Sequence, residues 1–181
     1  MDFQYEKITI KDKLRRLFWN IIWSTLFRTS PTPFHSWRIF LLRLFKAKIG
    51  RKCFIYPSVE IWAPWNLTMD DYACLGNKVI CYNVSQIKIG KFSTISQYSY
   101  LCTATHDIND NSLKNNHLMK TISAPIKVGM NVWICADVFI GPGVNVGKGS
   151  VVYARSTVIK NIKKWSVYAG SPAKFIKKRS L

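Results

Sequence analysis

The stretch VGMNVWICADVFIGPGVNVGKGSVVYARSTVIKNI, residues 128–162, decides the fold. Val128, Ile134, Ile140, Val146, Val152 and Val158 recur at every sixth position, and four residues after each stand Val132, Val138, Val144, Ser150, Ser156 and Ile162. A period of six fits neither the 3.6 residues of an α-helix nor the alternation of a half-buried strand. It is the hexapeptide pattern of a parallel β-helix, in which six residues build one flat side of a triangular coil and one aliphatic side chain per unit points inward. A single coil cannot bury its own interior, so coils stack about 4.8 Å apart.

Outward from this stretch, the lattice begins at Ile49. Ile49, Ile55 and Ile61 make a first coil, with Cys53, Val59 and Trp65 at the fourth-following places. Two-residue slips at Leu67-Thr68 and Ile87-Lys88 precede Met69, Leu75, Cys81 and then Ile89, Ile95, Leu101. The spacing predicts about five coils over residues 49–164. Residues 107–127, polar and rich in Asn, Lys and Ser, are expected as a loop ejected after the third coil, and loops of this length are as a rule functional or disordered. Residues 165–181 carry Gly170 and Pro172 and are expected to fold back as a basic cap on the open end.

Residues 1–48 read differently. Over 13–29, Arg16, Asn20, Ser24 and Arg28 form a polar stripe at four-residue steps in an otherwise apolar, aromatic segment that Pro31 and Pro33 end. Residues 35–48 place Trp37, Leu41, Leu44 and Phe45 roughly opposite Arg38 and Lys46. Broad apolar faces with a basic rim suit helices lying in a membrane interface; capping the β-helix or packing on a sister subunit is the structural alternative.

The net charge is +18, from 27 Lys and Arg against 9 Asp and Glu. Twelve of these cations lie in residues 1–52 and seven from Lys160 to Arg179. Basic ends suggest an anionic partner, although solubility alone is a sufficient reason. No nucleic-acid motif accompanies the charge, and no nucleic acid is expected as partner. Five cysteines without a CxxC pair point to a reducing compartment. Asp2 and Glu6 open the chain with no clean signal sequence after them, and no apolar run reaches the roughly 18–20 residues that span a bilayer. A cytoplasmic protein, peripheral at the inner face of a membrane at most, is expected.

His106 stands where the lattice stops, with a rigid platform beneath and a loop beside it. The stretches around it, ISQYSYLCTATHDI (95–108), together with IWAPWNLTMDDYACLG (61–76), CYNVSQIKIG (81–90), SAPIKVGMNVWICADVFIGPGVNVG (123–147) and VIKNIKKWSVYAGSPAKFIK (158–177), resemble the hexapeptide-repeat acyltransferases. The likeness is to the galactoside, maltose and nodulation-factor O-acetyltransferases, and within them to those assigned to colanic acid biosynthesis. It implies a left-handed β-helix, usually a homotrimer, with acetyl-CoA in a groove between subunits and an acetyl group passed to a sugar or glycan hydroxyl in surface-polysaccharide assembly, the acceptor being free, nucleotide-linked or lipid-linked.

The resemblance further implies that His106 is the general base, and an imidazole suits removal of a hydroxyl proton as the oxygen attacks a thioester. Asn83 corresponds to an acceptor-holding asparagine, or else caps a corner. Asp107 is a candidate to orient His106. The family pattern for CoA falls on the backbones of Ala136 and Ala154 and on Lys160, Lys174 and Lys177 near its phosphates, where solvated lysines are the plain alternative. Cys135 for a glycine, Ile159 for a threonine and Lys174 for an arginine depart from that pattern. Cys102 invites a covalent reading, but its place beside the lattice favours a structural side chain. No metal is expected: a three-histidine zinc site on this fold would need more than His35, His106 and His117. A non-catalytic β-helix scaffold, or a protein that binds an anionic surface such as a membrane or nucleic acid, is the remaining alternative.

Overall fold

A computed structural model of the chain describes residues 3–6, 9–108 and 120–180. Strand β1 (Gln4–Tyr5) leads to helix α1 (Ile10–Ile22), whose first turn is closed by a capping box between Thr9 and Asp12. One π-helical turn (Trp23–Phe27) and the break at Pro31 and Pro33 separate it from α2 (His35–Leu44). The β-helix follows. Its first turn is β2 (Lys48–Ile49), β3 (Phe54–Ile55) and β4 (Glu60–Ile61), and its second is β5 (Leu67–Met69), β6 (Cys74–Leu75) and β7 (Ile80–Tyr82). The third is β8 (Ile87–Ile89), β9 (Thr94–Ile95) and β10 (Tyr100–Cys102). Strands β11 (Ala104–His106) and β12 (Thr121–Ser123) leave and return. The fourth turn is β13 (Ile126–Val128), β14 (Trp133–Ile134) and β15 (Phe139–Ile140); the fifth is β16 (Asn145–Val146), β17 (Val151–Val152) and β18 (Thr157–Val158).

Like strands of successive turns pair in parallel and build three faces. The sequence predicts about five coils. The structure adds part of a sixth, because Ile162 bridges Val146 and β19 (Ser166–Ala169) pairs in parallel with β17. Only then does the chain reverse, into the antiparallel β20 (Lys174–Lys178). Arg179 ties the tail down by donating to the Asn131 and Gly149 carbonyls at 3.2 and 2.9 Å.

The six-residue lattice is the core: Ile49, Ile55, Leu75, Ile89, Ile95, Ile134, Ile140 and Val152 are buried. The buried serines at fourth-following places find carbonyls, as Ser99 with Cys135 (3.0 Å) and Ser150 with Lys163 (2.6 Å). Trp65 does not take the inward place expected of it. Ile49 pairs with Met69, 20 residues on, whereas Val128 pairs with Val146, 18 residues on, so the early turns hold two residues more. They are absorbed at the corner between third and first faces, where Pro64–Asn66 form a 3₁₀ turn, Ala63 and Leu67 go inward, and Trp65 is left half-buried. The returning lattice likewise begins at Ile126, which pairs with Ile87, the slip residue of the turn before.

The helices close the open end of the first turn with side-chain donors. The indole N–H of Trp19 donates to the Ile61 carbonyl (2.6 Å) and that of Trp23 to Val59 (2.8 Å). Arg38 donates to Ile55 (2.6 Å) and Arg43 to Ile49 (2.6 Å). Arg38, read as polar rim, therefore points inward. It is wholly buried and also donates to the Ser30 hydroxyl and to the Pro31 and Thr32 carbonyls, in the break between the helices. Arg16 lies over the Trp62 ring, 3.8 Å from its centroid. Among the described residues no helix is long and apolar enough to cross a membrane.

Trp19 joins the two halves: it is buried and meets Phe27 and Phe45 edge-on at 5.7 and 5.2 Å. Trp19→Ala removes a large buried ring and is expected to cost about 3–5 kcal/mol in denaturant unfolding. Trp19→Phe keeps most of the packing but strands the Ile61 carbonyl, at a cost of about 1–3 kcal/mol. A loss below about 1 kcal/mol for the alanine variant would mean that the helices are not part of the cooperative fold.

Candidate active site

His106 ends β11 at the corner between third and first faces. The hairpin that carries it is a sheet of its own, in the order β1-β12-β11. Ala104 pairs with Ser123 and His106 with Thr121, while Gln4 pairs with Ser123 and Glu6 donates its N–H to the Thr121 carbonyl (3.0 Å). Glu6 and His106 thus occupy one row two strands apart, about 10 Å, and strand alternation puts their side chains on the same face. Ser123, on that face, donates to the Glu6 carboxylate at 2.5 Å. The His106 side chain is exposed.

Asp107 takes the other face. Its carboxylate accepts from the Tyr5 hydroxyl at 2.8 Å, and successive strand residues point apart. Asp107, the candidate to orient His106, is thereby tied to the amino-terminal strand. Asn83 is fully buried at the wide corner of the second turn: its side chain accepts from the Ala63 N–H (2.9 Å) and donates to the Ala63 carbonyl (2.6 Å). Both amide groups are engaged as a corner brace one turn from the strand that leads to His106.

Beside the hairpin, at the same corner, lies a cleft of about 460 Å³ lined by Glu6, Asp12, Arg15, Trp62, Trp65 and Gln86 among others. Arg15 covers one face of Trp65, 4.0 Å from the ring centroid. Thr9 holds the Asp12 carboxyl below its usual range by donating its hydroxyl to it, and the Arg15 charge adds to this. Indole faces, carboxylates and an amide around one space are the groups that hold a polyhydroxylated ring: apolar area for its C–H faces and acceptors for its hydroxyls. Of these residues, Trp62 and Trp65 lie in the quoted WAPWNL stretch, but their convergence with Glu6 and Asp12 depends on chain register that no local motif records.

The residues considered for CoA are divided. Ala136 and Ala154 stack at the corner between second and third faces, where Arg155 donates its N–H to the Ala136 carbonyl (3.0 Å). Lys174 opens β20 near this corner, since Ala173 donates to the Thr157 carbonyl (2.8 Å). Lys177 lies further along β20, opposite Val167, and Lys160 follows β18 at the other corner, on the His106 side. All three lysines are exposed. In one chain the third face separates His106 from Ala136 and Ala154, roughly 15–20 Å at strand rise.

No family model matches the chain. Over 161 residues it is 45% identical to WcaF of Escherichia coli (strain K12), a protein assigned as a colanic acid biosynthesis acetyltransferase, covering 89% of this chain and 85% of the relative. The chain belongs to the hexapeptide-repeat acetyltransferases. The crystal structure of a maltose O-acetyltransferase from Clostridium difficile 630 superposes with a TM-score of 0.84 at 26% identity, covering 93% of this chain and 88% of that one. A hexapeptide-repeat acetyltransferase of Vibrio cholerae, complexed with acetyl coenzyme A, shares the fold with a TM-score of 0.86 at 22% identity, over 98% and 94% of the two chains.

Acetyl transfer can pass through a cysteine or go directly, and Cys102 is the thiol nearest His106 in sequence. Its Sγ donates to the Ala104 carbonyl at 3.1 Å. Among the described residues no three His, Cys, Asp or Glu side chains converge as a metal-binding group, and His35 is engaged with the Ile55 backbone under the first turn. Cys102→Ala is expected to keep acetyl transfer within about threefold of the parent in a coupled thiol-release assay; a loss of about a hundredfold or more would make the cysteine a nucleophile.

Proposed function

We propose that the protein is an acetyl-CoA-dependent O-acetyltransferase acting in the cytoplasm on a sugar hydroxyl of a surface glycan, colanic acid being the example its relative offers. The observation that carries this reading is the shared sheet face of His106 and Glu6, the base candidate and the rim of a cleft lined by indoles and carboxylates. His106 takes the proton of the acceptor hydroxyl as the oxygen attacks the thioester carbonyl, the C–S bond breaks, and CoA leaves as the thiol after receiving that proton. Asp107 and Asn83 serve this step as positioning residues, Asp107 by fixing the hairpin through Tyr5 and Asn83 by bracing the corner beneath it.

The donor site on this reading is completed by a second copy. One chain leaves the base and the Ala136–Ala154 corner on opposite edges of the third face, and a head-to-tail contact between unlike edges, which closes into a ring, brings them together. A homotrimer is the proposed ring. The outward rows support it. The first face presents Lys48, Thr68, Lys88, Lys127 and Asn145, whereas the second presents Phe54 and Trp133, and the third Ile80, Tyr100 and Phe139. Lysines suit water, and aromatic rows suit a partner. Lys160, Lys174 and Lys177 would then meet the CoA phosphates as point charges.

Acetyl-CoA at 100 times its dissociation constant should stabilise the protein by about 2.7 kcal/mol in thermal unfolding. His106→Ala should keep that shift while lowering kcat by about 10²–10⁴. No shift at millimolar acetyl-CoA, or an alanine variant as active as the parent, would sink the reading. Trp65→Ala should raise the KM of the sugar by about tenfold with the acetyl-CoA shift unchanged, and an unaltered KM would remove the cleft as acceptor site.

A further inference from the structure

A helix laid on a protein core turns its apolar stripe inward and its polar side to water. Helix α1 does the reverse. Asp12, Arg15, Arg16 and Trp19 face the β-helix and the cleft, whereas Ile10, Leu14, Leu17, Phe18 and Ile21, at helical spacing on the opposite side, are 50–77% exposed. The second helix continues this face. Phe34, Trp37, Phe40 and Leu44 are 38–61% exposed, Trp37 stacks on Phe40 at 5.7 Å, and its indole N–H donates to the Leu26 carbonyl (3.1 Å), fixing α2 beside the end of the first helical segment. All nine side chains turn 38% or more of their area to solvent.

The charge around them has one sign. From Lys13 to Val59 there is no acidic residue, and Asp12 is engaged in the capping box. Lys11 and Lys13 flank the α1 stripe on either side at 100° per residue, and Arg28 and Lys46 are exposed in the same segment. Two copies meeting through this same face would set two cationic surfaces against each other, which like-charge repulsion opposes. A layer of anionic headgroups over acyl chains supplies both the negative charge and the apolar depth.

We propose that this face seats the protein on an anionic lipid bilayer, with α1 and α2 lying in the headgroup region, and that the sugar it modifies is carried on a lipid; the second half rests on the acceptor reading given above. Asp12 and Arg15 line the cleft from the other side of α1, so only the thickness of one helix, about 10 Å, separates the lipid face from the acceptor site.

The full chain should sediment with vesicles of mixed phosphatidylcholine and phosphatidylglycerol and only weakly with phosphatidylcholine alone. Phe18→Asp combined with Phe40→Asp should weaken the binding by about tenfold or more, and Lys11→Ala and Lys13→Ala by about fivefold each. Thermal midpoint, mass by light scattering and transfer to a soluble sugar should stay unchanged in these variants, so the docking can fail while the proposed reaction stands. A parent that does not sediment, or a Phe18/Phe40 variant that binds undiminished through the lysine row of the first face, would overturn the proposal. So would a variant of lower mass than the parent, which would make the face a contact between copies.

Discussion

A parallel β-helix satisfies the backbone of each turn with the turn next to it, which leaves the first turn with nothing below. Edge groups of this kind are costly when buried and dangerous when exposed, since a free strand edge is a template for another chain. Here the missing turn is replaced by side chains. Two indoles and two guanidiniums, from Trp19, Trp23, Arg38 and Arg43, donate to the Ile61, Val59, Ile55 and Ile49 carbonyls. Indole and guanidinium groups donate without accepting, and they bring their own apolar or planar area, so they seal the carbonyls of that edge and a core made of isoleucines together, while His35 accepts from the Ile55 N–H at 3.2 Å.

This constraint sets the polarity of the amino-terminal segment. Once the inward side of the helices must supply donors, the aliphatic and phenyl groups of α1 are displaced to the outer side, where they are 50–77% exposed. The same inward side supplies Asp12 and Arg15 to the cleft. Sealing the end, building the cleft wall and exposing an apolar face are consequences of one orientation of α1, and none could be changed without the others.

The β-helix was legible because a six-residue period is a local property: each inward residue repeats the environment of the last. What was not legible depended on relations between turns. Trp65 falls on the numerical lattice yet leaves it, since the widened corner shifts which residue faces in, and Ala63 takes the buried place. Arg16 and Arg38 fit a polar stripe by spacing, but spacing does not say which side of a helix the rest of the protein occupies. His106 stood out as a candidate from its place at the interruption and the residues around it. The cleft was not, because Glu6 and Asp12 reach Trp62 and Gln86 only through the pairing of β1 with β12 and the docking of α1.

The charge of +18 illustrates the same limit. As a sum it suggests one anionic partner. In the fold the cations separate into groups with different work. Arg38 and Arg43 neutralise no anion and serve carbonyls; Arg15 and Arg16 lie over Trp65 and Trp62. Lys48, Lys88 and Lys127 line the first face, and Asp71, whose carboxyl is held below its usual range mainly by the Arg51 N–H, is among the few acids near them. Lys11, Lys13, Arg28 and Lys46 are exposed in the helical segment without serving those carbonyls. A few cations beside nine exposed apolar side chains describe a surface whose affinity comes mainly from apolar depth, with charge selecting the kind of membrane. The larger row of lysines lies on a face nearly bare of such side chains, where attraction to an anion is screened within about 8–10 Å by physiological salt. Location, not the total, decides which of the two surfaces can hold a bilayer.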